Sequence, residues 1–398
     1  MNDPSRQWRG SNHSGMREFN ARMVLDAIRS HGALPKADLA RITQLSTQTV
    51  SLIVNRLLED GLLQKCERIR GKMGQPSVPL ALNPDGAFSV GVQVGRRSLE
   101  VVVTDFCGQL RHQWAQPYSH PAPRQVLPKI RQGLQRMQRH MGAQWERVIG
   151  LGLSAPLFMD QWGDLLGPSA HGDLKEWATL DLQQAVSEMT DLPVAFAKDT
   201  TAACLAELVQ GQGQQLRDFL YVFVGTFAGG GLVLEGRLVG GARGNAAAIG
   251  SMPLGALGAS PPPQLLQVAS GWPLEQALVA QGHAGSLLHD ARIVEPAYDA
   301  ITRPWLRQAA RALAMCATSA TALLDLDAVV IDSSLSPALC ERLRDQCEAA
   351  LSHFRQEGIH PPKVLAGRVG AHARAIGAAL LPLYGQYFPN PQTFRKND

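Results

Sequence analysis

The sequence has few cysteines and no paired cysteine motif. Six cysteines are spread over 398 residues, and none of them forms a C-x-x-C pair. A disulfide framework is therefore not expected, and the thiols are predicted to act as small buried apolar groups. Because a structural zinc site needs four soft ligands at short spacings, this cysteine usage also predicts no metal site.

Long apolar runs are missing as well. The longest candidate is the short stretch FLYVFVGTF, which begins at Phe219 and is far below the roughly 18 apolar residues that a membrane span requires. The opening residues MNDPSRQWRGSNHSG contain no apolar core of a secretory signal. These absences predict a cytoplasmic protein without a membrane partner.

Charge is nearly balanced overall but unevenly distributed. Residues 1–83 hold 12 Lys and Arg against 7 Asp and Glu, so the remaining 315 residues have a net charge near −1. A basic end suits a polyanionic partner, because contacts to phosphates release counterions. The same excess is also common on ordinary solvated faces. The length predicts two or three domains, and a hydrophobic content of 45% is ample for their cores.

Three helices are predicted within the first eighty residues. The segment NARMVLDAIRSHG has apolar residues at helical spacing and stops at Gly32, a good helix terminator. Pro35 opens a short helix, KADLARITQ, and Ser46 can cap a third helix, TQTVSLIVNRLLEDG. The apolar positions of the third helix follow i, i+3, i+4, i+7 and i+8, namely Val50, Ile53, Val54, Leu57 and Leu58.

The opposite face of the third helix carries hydrogen-bonding side chains and no carboxylate before Glu59. Such a face suits a helix that lies against base edges and phosphates. Two strands around a basic, glycine-containing tip at residues 70–75 would then form a wing. The helices, the cap and the wing together predict a winged helix-turn-helix that binds DNA. The alternative is a small helical bundle used for protein contact.

In this arrangement Gln48, Thr49 and Ser51 would read bases, and five cations would neutralise phosphates. The cations are Lys36, Arg41, Arg56, Lys65 and Lys72. The other candidate DNA contacts are Ser46, Thr47, Asn55 and Gln75. Because one such module reads only a half-site, the predicted partner is a palindromic double-stranded DNA operator bound by a dimer.

From Phe88 onward the pattern changes to an α/β alternation. VQVGRRSLEVVVTD is predicted to form a β-hairpin, followed by a helix near residues 126–141 and a buried strand in VIGLGLSAPL. A helix at 180–189, the strand LPVAFAKD, the helix TTAACLAELVQG and the strand pair FLYVFVGTFAGGGLVLEGRLV come next. Residues 273–381 add several helices, the strand AVVIDSSL and a closing helix. Two such halves predict a bilobal fold with a cleft between the lobes.

The motifs follow one another in a specific order. A winged helix precedes a hairpin with a G-x-x-x-G spacing, then L-G-L-S-A-P, L-P-V-x-x-x-x-D-x-x-A-A-x-L-A-E, V-G-T-x-x-G-G-G and R-x-I-G-A-A-L. This ordered set, from about residue 20 to 385, resembles a repressor of the ROK family, which comprises repressors, open reading frames and sugar kinases. The resemblance implies an α/β fold in which an N-terminal winged helix-turn-helix precedes a bilobal, actin-like (ribonuclease H-like) sugar-kinase body.

The resemblance also divides the chain and implies how it works. It implies a DNA-binding domain at 17–83 and a body at 84–398 for effector sensing and oligomerisation, and residues 1–16 are expected to form a flexible arm, as chain termini often do. Sugar would bind between the lobes of a homodimer or tetramer, whose grip on DNA would change on binding. Kinases and repressors share the body, so the fold does not settle activity. The N-terminal domain favours the repressor branch.

The first hairpin departs from the family pattern. The family has an Asp in D-x-G-x-T there, which positions metal and phosphate. In this chain Gln93, Gly95 and Arg97 occupy the matching positions, so the acid and the hydroxyl are absent. The hairpin is therefore predicted to be a retained scaffold that holds no magnesium nucleotide in the usual way, and no cofactor is expected.

The second phosphate loop, GTFAGGG, is better preserved. Its backbone N–H groups could still cradle an anion. The alternative is a tight turn between strands whose glycines adopt positive φ. In AVVIDSSL, Asp332 and Ser333 stand where the family usually has a glycine pair. This difference weakens the prediction that the chain binds the adenine of a nucleotide. The residues of this phosphate-loop remnant are Gly225, Thr226, Gly229 and Gly230.

The family's sugar contacts are partly replaced. Lys198 and Asp199 stand where the family has Asn-Asp, so the candidate base remains beside a cation. The family's G-E-I-G-H becomes AAIGS, which puts Ala248 and Ser251 in place of the Glu and the His. Asp173 falls where an Asn would normally contact sugar. The candidate effector contacts are therefore Asp173, Lys198, Asp199 and Ser251. Alternatively, Lys198 forms a structural ion pair with Asp199 or another acid.

The family's zinc motif, C-x-C-G-x-x-G-C-x-E, is absent. The matching stretch is LGALGASPPPQLLQVASG, which has three prolines and no cysteine, and Leu266 falls near the expected Glu. Proline and leucine cannot replace zinc ligands, so no zinc site is predicted. The prolines are expected to stiffen the loop instead.

These observations favour a sequence-specific DNA-binding transcriptional regulator, a repressor, with a non-catalytic body that senses a sugar or another small polar metabolite. The lost carboxylates weaken ordinary sugar binding. The cleft could therefore take a different ligand, such as an acidic one drawn to Lys198, bind sugar weakly, or bind nothing. The alternatives are an active ATP-dependent sugar kinase with Asp199 as its base, and a DNA-binding dimer without an effector.

Overall fold

The computed structural model describes residues 13–67, 78–163, 168–255 and 262–389. The N-terminal part consists of three helices and a two-stranded antiparallel sheet in which Leu63 pairs with Leu82. These elements are α1 (His13–His31), α2 (Lys36–Thr43), α3 (Thr47–Glu59), β1 (Leu63–Lys65) and β2 (Leu80–Leu82). Their order is that of the predicted winged helix-turn-helix.

Local signals explain the bounds of these helices. Gly32 follows α1 with a φ of +77°, and Gln44 ends α2 in the left-handed region with a φ of +56°. α1 begins at His13 and not at Asn20, so it overlaps the predicted arm of residues 1–16. No proline lies in residues 13–19 to prevent this extension. The predicted wing tip at residues 70–75 lies outside the described residues.

The first lobe contains a five-stranded sheet with the strand order β5-β4-β3-β6-β7. β3, β4 and β5 form an antiparallel meander, while β6 and β7 run parallel to β3. The strands are β3 (Phe88–Val94), β4 (Ser98–Asp105), β5 (Leu110–Pro117), β6 (Val148–Ala155) and β7 (Val194–Lys198). The helices of this lobe are α4 (Pro123–Met141), α5 (Pro168–Lys175) and α6 (Leu182–Ser187).

The second lobe repeats this strand order in a sheet arranged β10-β9-β8-β11-β12. Its strands are β8 (Phe219–Val224), β9 (Ala228–Leu234), β10 (Arg237–Val239), β11 (Ala328–Ser333) and β12 (Lys363–Ala366). Its helices are α8 (Leu265–Ala269), α9 (Gly271–Ala280), α10 (Asp299–Leu324) and α11 (Pro337–Ala350). The duplicated sheet confirms the predicted bilobal actin-like fold. Within the described ranges, no helix is both long and apolar enough to cross a membrane.

Two helices lie between the sheets, α7 (Asp199–Gln210) and α12 (Ala373–Tyr387), and they pack directly on each other. α12 also packs on β3 and β6, while α7 packs on β9. The approach is at backbone distance: a Cβ on Gly377 would overlap the carbonyl of Ala202, and a Cβ on Gly152 would overlap that of Ala378. Glycine is therefore required at both crossings.

The DNA-binding part shares its hydrophobic core with the body. One continuous cluster includes Val24 and Ile28 of α1, Leu208 of α7 and Leu380 of α12. Leu39, Val50 and Val54 belong to the same cluster and are fully buried, as the helical periodicity predicted. The N-terminal helices are thus packed on the two central helices of the body.

Candidate functional sites

The first turn of α3 is fixed by its N-terminal cap. Ser46 accepts a hydrogen bond from the backbone N–H of Thr49 at 3.1 Å, as the sequence predicted. The Ser46 and Thr49 hydroxyls lie 2.8 Å apart. Thr47 and Gln48 are exposed on this turn, whereas Thr49 and Ser51 are half-buried. The most accessible of the three predicted base readers is therefore Gln48.

The exposed face of α3 also includes an apolar residue that the sequence analysis missed. Leu52 is 73% exposed and lies one helical turn after Gln48, on the same face as Asn55 and Arg56. Its signal was available in the sequence, because Leu52 falls outside the apolar stripe that buries Val50 and Val54. An exposed apolar side chain in this position can contact a thymine methyl group in the major groove.

The predicted phosphate-binding cations are at the surface and engaged in local contacts. Lys36 donates a hydrogen bond to Asn55 at 3.1 Å, which joins α2 to α3. Two short-range ion pairs accompany it, Arg41 with Asp38 at 3.1 Å and Arg56 with Asp60 at 3.7 Å. Exposed pairs of this kind contribute little to stability, so DNA phosphates could displace the carboxylates at low cost.

The wing contributes one described cation. Lys65 lies exposed on β1, and the backbone of Cys66 continues the pairing by donating to Pro79. The other predicted wing contacts, Lys72 and Gln75, lie outside the described residues.

Two arginines of α1 bind the C-terminal ends of the central helices. Arg29 donates to the carbonyl of Val209, near the end of α7, at 3.0 Å, and its guanidinium lies 4.7 Å from the ring centroid of Phe388. Arg22 donates to the carbonyl of Gly385 in α12 at 3.3 Å. The last carbonyls of a helix have no partner within the helix, so cationic donors there are favourable.

A cavity of about 330 Å³ lies between the lobes. It is lined by the β3–β4 turn at residues 95–98, the β7–α7 junction at 198–200, the β8–β9 turn at 226–229, and Arg374 of α12. Ser251 and Ala248, which replace the family's sugar-binding His and Glu, also line it. Three of the predicted effector residues, Lys198, Asp199 and Ser251, are therefore brought together here.

Lys198 and Asp199 are adjacent in sequence but have different partners. The Lys198 ammonium donates to the carbonyl of Ala246 at 2.7 Å, whereas the Asp199 carboxylate lies 3.8 Å from the Arg374 guanidinium. Within the described residues no ion pair joins Lys198 to Asp199 or to another acid. The two side chains diverge where β7 meets α7, and the Asp199 carboxylate also accepts from the N–H of Thr200.

Burial changes the acidity of both groups. Lys198 is 7% exposed, and desolvation lowers the pKa of its ammonium to about 8, with Asp199 opposing the change. Desolvation also raises the pKa of the Asp199 carboxyl, with Arg374 opposing. A buried lysine that stays charged lowers the stability of the fold. Such perturbed ionisable groups are typical of functional sites.

We therefore expect Lys198→Met to stabilise the protein at pH 7 by about 2 kcal/mol. The folded protein binds the Lys198 proton more weakly than the unfolded chain does, so wild-type stability rises as pH increases from about 8 toward 10.5. The advantage of Lys198→Met should shrink over the same range. Denaturant unfolding of both proteins from pH 6.5 to 10.5 measures this difference, and a variant less stable than wild type at pH 7 would contradict it.

The turn of the first hairpin carries two arginines that reach the second lobe. Arg97 forms an ion pair with Glu275 of α9. The Arg96 guanidinium lies over two aromatic rings, 4.2 Å from the Trp272 centroid and 5.2 Å from the Phe227 centroid. These contacts join the hairpin tip to the far wall of the cleft. They were not predicted, because Arg96 and its ring partners lie more than 130 residues apart in sequence.

Asp173 is not among the residues that line the cleft, so its predicted role as an effector contact is corrected. It lies in α5, where its carboxylate contacts His120 at 2.8 Å and Arg124 at 2.5 Å. The hydrogen bond from His120 and the charge of Arg124 hold the pKa of Asp173 below its usual value. Asp173 was assigned from its place in the family pattern, whereas its helix and these two partners direct it elsewhere.

The glycines of GTFAGGG serve close packing. Gly225 lies at the β8–β9 turn, but none of Gly225, Gly229, Gly230 and Gly231 has a positive φ, so that part of the turn interpretation was wrong. Gly229 to Gly231 lie within β9, where a Cβ on Gly231 would overlap Cys204 of α7. Thr226 and Gly229 still line the cleft.

The residues beyond the second loop have structural partners. Asp332 accepts hydrogen bonds from the Tyr221 hydroxyl and from the N–H of Gly370, both at 3.0 Å. It is buried and does not line the cleft. Leu266, at the place of the expected zinc-motif Glu, lines the cleft. No group of three His, Cys, Asp or Glu side chains is arranged to hold a metal in the described ranges, from which residues 256–261 of this loop are missing.

Two family models match the chain. The model described as the ROK family matches residues 89–383. The model described as the MarR family matches residues 18–71. The residues between the two matches, 72–88, include the second strand of the wing, β2.

Individual proteins match at low identity. An uncharacterized protein of Sinorhizobium fredii, y4fQ, is 26% identical over 93% of this chain and 92% of its own length. The xylose repressor of Caldicellulosiruptor bescii is 22% identical to this chain. The matched region covers 60% of this chain and 59% of the repressor.

Solved structures show the same fold. A ROK family transcriptional regulator, a homologue of the Escherichia coli Mlc protein, superposes with a TM-score of 0.69 at 20% identity, over 94% of this chain and 98% of that one. A ROK family glucokinase from Streptomyces griseus, in complex with glucose and AMPPNP, superposes with a TM-score of 0.60 at 22% identity, over 74% of this chain and 99% of that one.

Proposed function

The chain belongs to the ROK family, and we propose that it is a DNA-binding transcriptional repressor whose kinase-like body senses a small polar effector. The match of residues 18–71 to the MarR family supports the DNA-binding part of this proposal. The repressor assignment is supported by the name of the xylose repressor, which matches over three fifths of the chain.

The observation that carries the proposal is the capped, exposed face of α3 on a module packed against the central helices. Gln48, Leu52 and Asn55 lie along this face without a carboxylate among them. A single exposed leucine is common on protein surfaces, so the uncharged hydrogen-bonding groups around Leu52 are the informative part of this face. Base edges in a major groove offer partners for both the polar and the apolar members of the face.

We propose residues 17–83 as the DNA-binding unit and residues 84–398 as the body, assembled as a homodimer or tetramer on a palindromic operator. Selection of bound DNA from a random pool by the purified full chain tests this proposal. A palindromic consensus with half-sites one helical turn or a multiple of it apart is expected. Recovery of unrelated sequences, with no enrichment over the starting pool, would contradict it.

Gln48→Ala is expected to relax base preference at one position of each half-site by about 1 kcal/mol or more. The reason is that an amide side chain at the start of a recognition helix can make two hydrogen bonds to one base. The measurement is binding to the selected operator and to its single-base variants. An unchanged preference would place the base-reading face elsewhere.

Lys65→Ala is the matched control for Gln48→Ala. Lys65 is exposed on the wing, and its loss should weaken binding to all sequences equally while reducing the salt slope by about one per contact. Gln48→Ala should leave the salt slope unchanged, because the amide carries no charge. The pair of variants thus separates base recognition from phosphate contact.

We further propose that the body does not transfer phosphoryl groups. In the first hairpin Gln93 occupies the place of the family's acid, and the candidate base Asp199 is held by Arg374. Burial raises the pKa of Asp199 despite Arg374, so the loss of the acid at position 93 is the observation that carries this point. Asp199 nevertheless lines the cleft, which is the observation that favours the alternative of an ATP-dependent sugar kinase.

A phosphorylation assay with ATP, magnesium and a sugar panel tests this second point. Incorporation at background rates is expected for every sugar. Turnover at about 1 s⁻¹ or faster, an ordinary enzyme rate, would establish the kinase alternative. An Asp199→Asn variant assayed in parallel would show whether any turnover comes from this cleft.

A further inference from the structure

The charges that line the cleft do not cancel. The cleft is lined by four cationic side chains but by only two carboxylates. The carboxylates, Asp199 and Glu275, are paired with Arg374 and Arg97 respectively. Arg96 and Lys198 have no carboxylate within ion-pair distance among the described residues. Two uncompensated positive charges in a cleft of this size create a favourable potential for an anion.

Arg96 has unused hydrogen-bond donors. It is 8% exposed, and its Nε and Nη1 atoms are buried without a hydrogen-bond partner in the described structure. The rings of Trp272 and Phe227 cover the faces of the guanidinium, but stacking does not satisfy the N–H groups at its edge. Leaving such donors buried and unpaired is costly, so they mark a place where an acceptor belongs.

The same hairpin contains a third donor of this kind. The Gln93 amide nitrogen is also buried without a partner among the described residues, next to Gly95, although Gln93 itself does not line the cleft. Burial lowers the pKa of Arg96 to about 10, with the neighbouring Arg97 adding to the effect, and this value still leaves Arg96 charged at neutral pH. The unpaired Arg96 groups on this side of the cleft are thus donors, which an anion with several acceptor oxygens would satisfy.

The rest of the cleft is suited to a compact polar molecule. Asn245, Ser251 and Ser334 offer neutral hydrogen-bonding groups, and Trp162 and Phe227 form an edge-to-face aromatic pair at 5.1 Å. A cavity of about 330 Å³ is at the small end of ordinary ligand sites, which run from about 300 to 1,000 Å³.

We infer that the effector of this protein is a compact polyhydroxy molecule that carries a carboxylate or phosphate group. Arg96 donates hydrogen bonds to this anionic group, and Lys198 adds positive potential. This inference rests on the proposed function only in naming the molecule an effector. The binding itself is a property of the cleft and is measured without DNA.

The test is calorimetric titration of the purified full chain with four probes: glucuronate, glucose 6-phosphate, glucose and inorganic phosphate. At least one of the two acidic probes is expected to bind about tenfold or more tightly than both glucose and inorganic phosphate. The two acidic probes distinguish a carboxylate from a phosphate. Any of three results would overturn the inference: glucose binds as tightly as both acidic probes, inorganic phosphate binds as tightly as both acidic probes, or neither acidic probe binds.

Variants assign the preference to Arg96. Arg96→Gln should reduce the advantage of the acidic probe over glucose about tenfold, and Arg96→Lys should restore part of it. Arg131→Gln is the matched control, since it removes one exposed charge from α4 and should change nothing. Lys198→Met should also reduce the advantage, and its expected gain in stability removes misfolding as an explanation. An advantage unchanged in both Arg96→Gln and Lys198→Met would overturn the assignment.

Operator binding by the same preparations separates this inference from the proposed function. Intact DNA binding without any preference for an acidic probe would overturn the inference and leave the repressor proposal standing. A clear acidic preference that Arg96→Gln removes, in a protein that ignores DNA, would support the inference and overturn the repressor proposal.

Discussion

Replacing Gly377 with alanine is expected to destabilise the protein by about 3 kcal/mol, at the upper end of the range for an overpacked core. Gly377 lies in α12 where it crosses α7, and a Cβ there would overlap the carbonyl carbon and oxygen of Ala202. Backbone cannot move aside as the end of a flexible side chain can, so the two helices would have to separate. Chemical denaturation of the variant and wild type measures the change.

Gly385→Ala is the matched control on the same helix. Gly385 is exposed in the last turn of α12, and a Cβ there would meet nothing within 4 Å. Alanine is the better helix former by up to about 1 kcal/mol, so this variant should be neutral or slightly more stable. Equal losses in the two variants would mean that glycine at 377 is not required by the helix crossing.

The elements of this protein that sequence predicts well are those set by local signals. The helix over TQTVSLIVNRLLE follows from its cap and apolar stripe, and the structure places Ser46, Val50 and Val54 accordingly. The hairpin around Gly95 follows from alternation and a turn. β10 was not predicted as a separate strand. The two-residue turn between β9 and β10 places both Glu235 and Gly236 at positive φ, and Glu is not a usual turn signal at such a position.

The contacts that define the cleft are non-local and were not predictable from spacing. Lys198 meets the carbonyl of Ala246, and Asp199 meets Arg374, a residue that entered the sequence analysis only as part of a family motif. Asp173 was assigned from its place in a family pattern, but two neighbours, His120 and Arg124, hold it away from the cleft. Residue type identified the chemistry in these cases, and tertiary packing decided which groups meet.

The two central helices connect the cleft to the DNA-binding part. α7 begins at the cleft with Asp199 and ends against Arg29 of α1. α12 likewise has Arg374 at the cleft and ends against Arg22. Because the helices touch at backbone distance at Gly377, a shift of one end should move the pair as a unit. Energetic coupling between two sites requires such a physically continuous element.

The double variant Arg22→Met/Arg29→Met is therefore expected to reduce the effect of a cleft ligand on operator affinity. For wild type we expect the tighter-binding acidic probe, glucuronate or glucose 6-phosphate, to change operator affinity by up to about a hundredfold, within the usual range of coupling energies. The variant should retain less than about a fivefold effect. Operator titrations with and without the probe give the two ratios, and by linkage the operator should change the affinity for the probe by the same factor.

Arg17→Met is the control, because Arg17 is exposed on the same helix, five residues before Arg22. It should keep the wild-type ratio, although it removes one charge from the DNA-binding part. A domain that was merely anchored by Arg22 and Arg29 would behave differently from a coupled one. If the two arginines only anchor the domain, their loss would alter operator affinity equally with and without the probe. The ratio of the two operator affinities would then be the same in the double variant as in wild type. That result would show that the α1 contacts hold the module in place but do not transmit the state of the cleft.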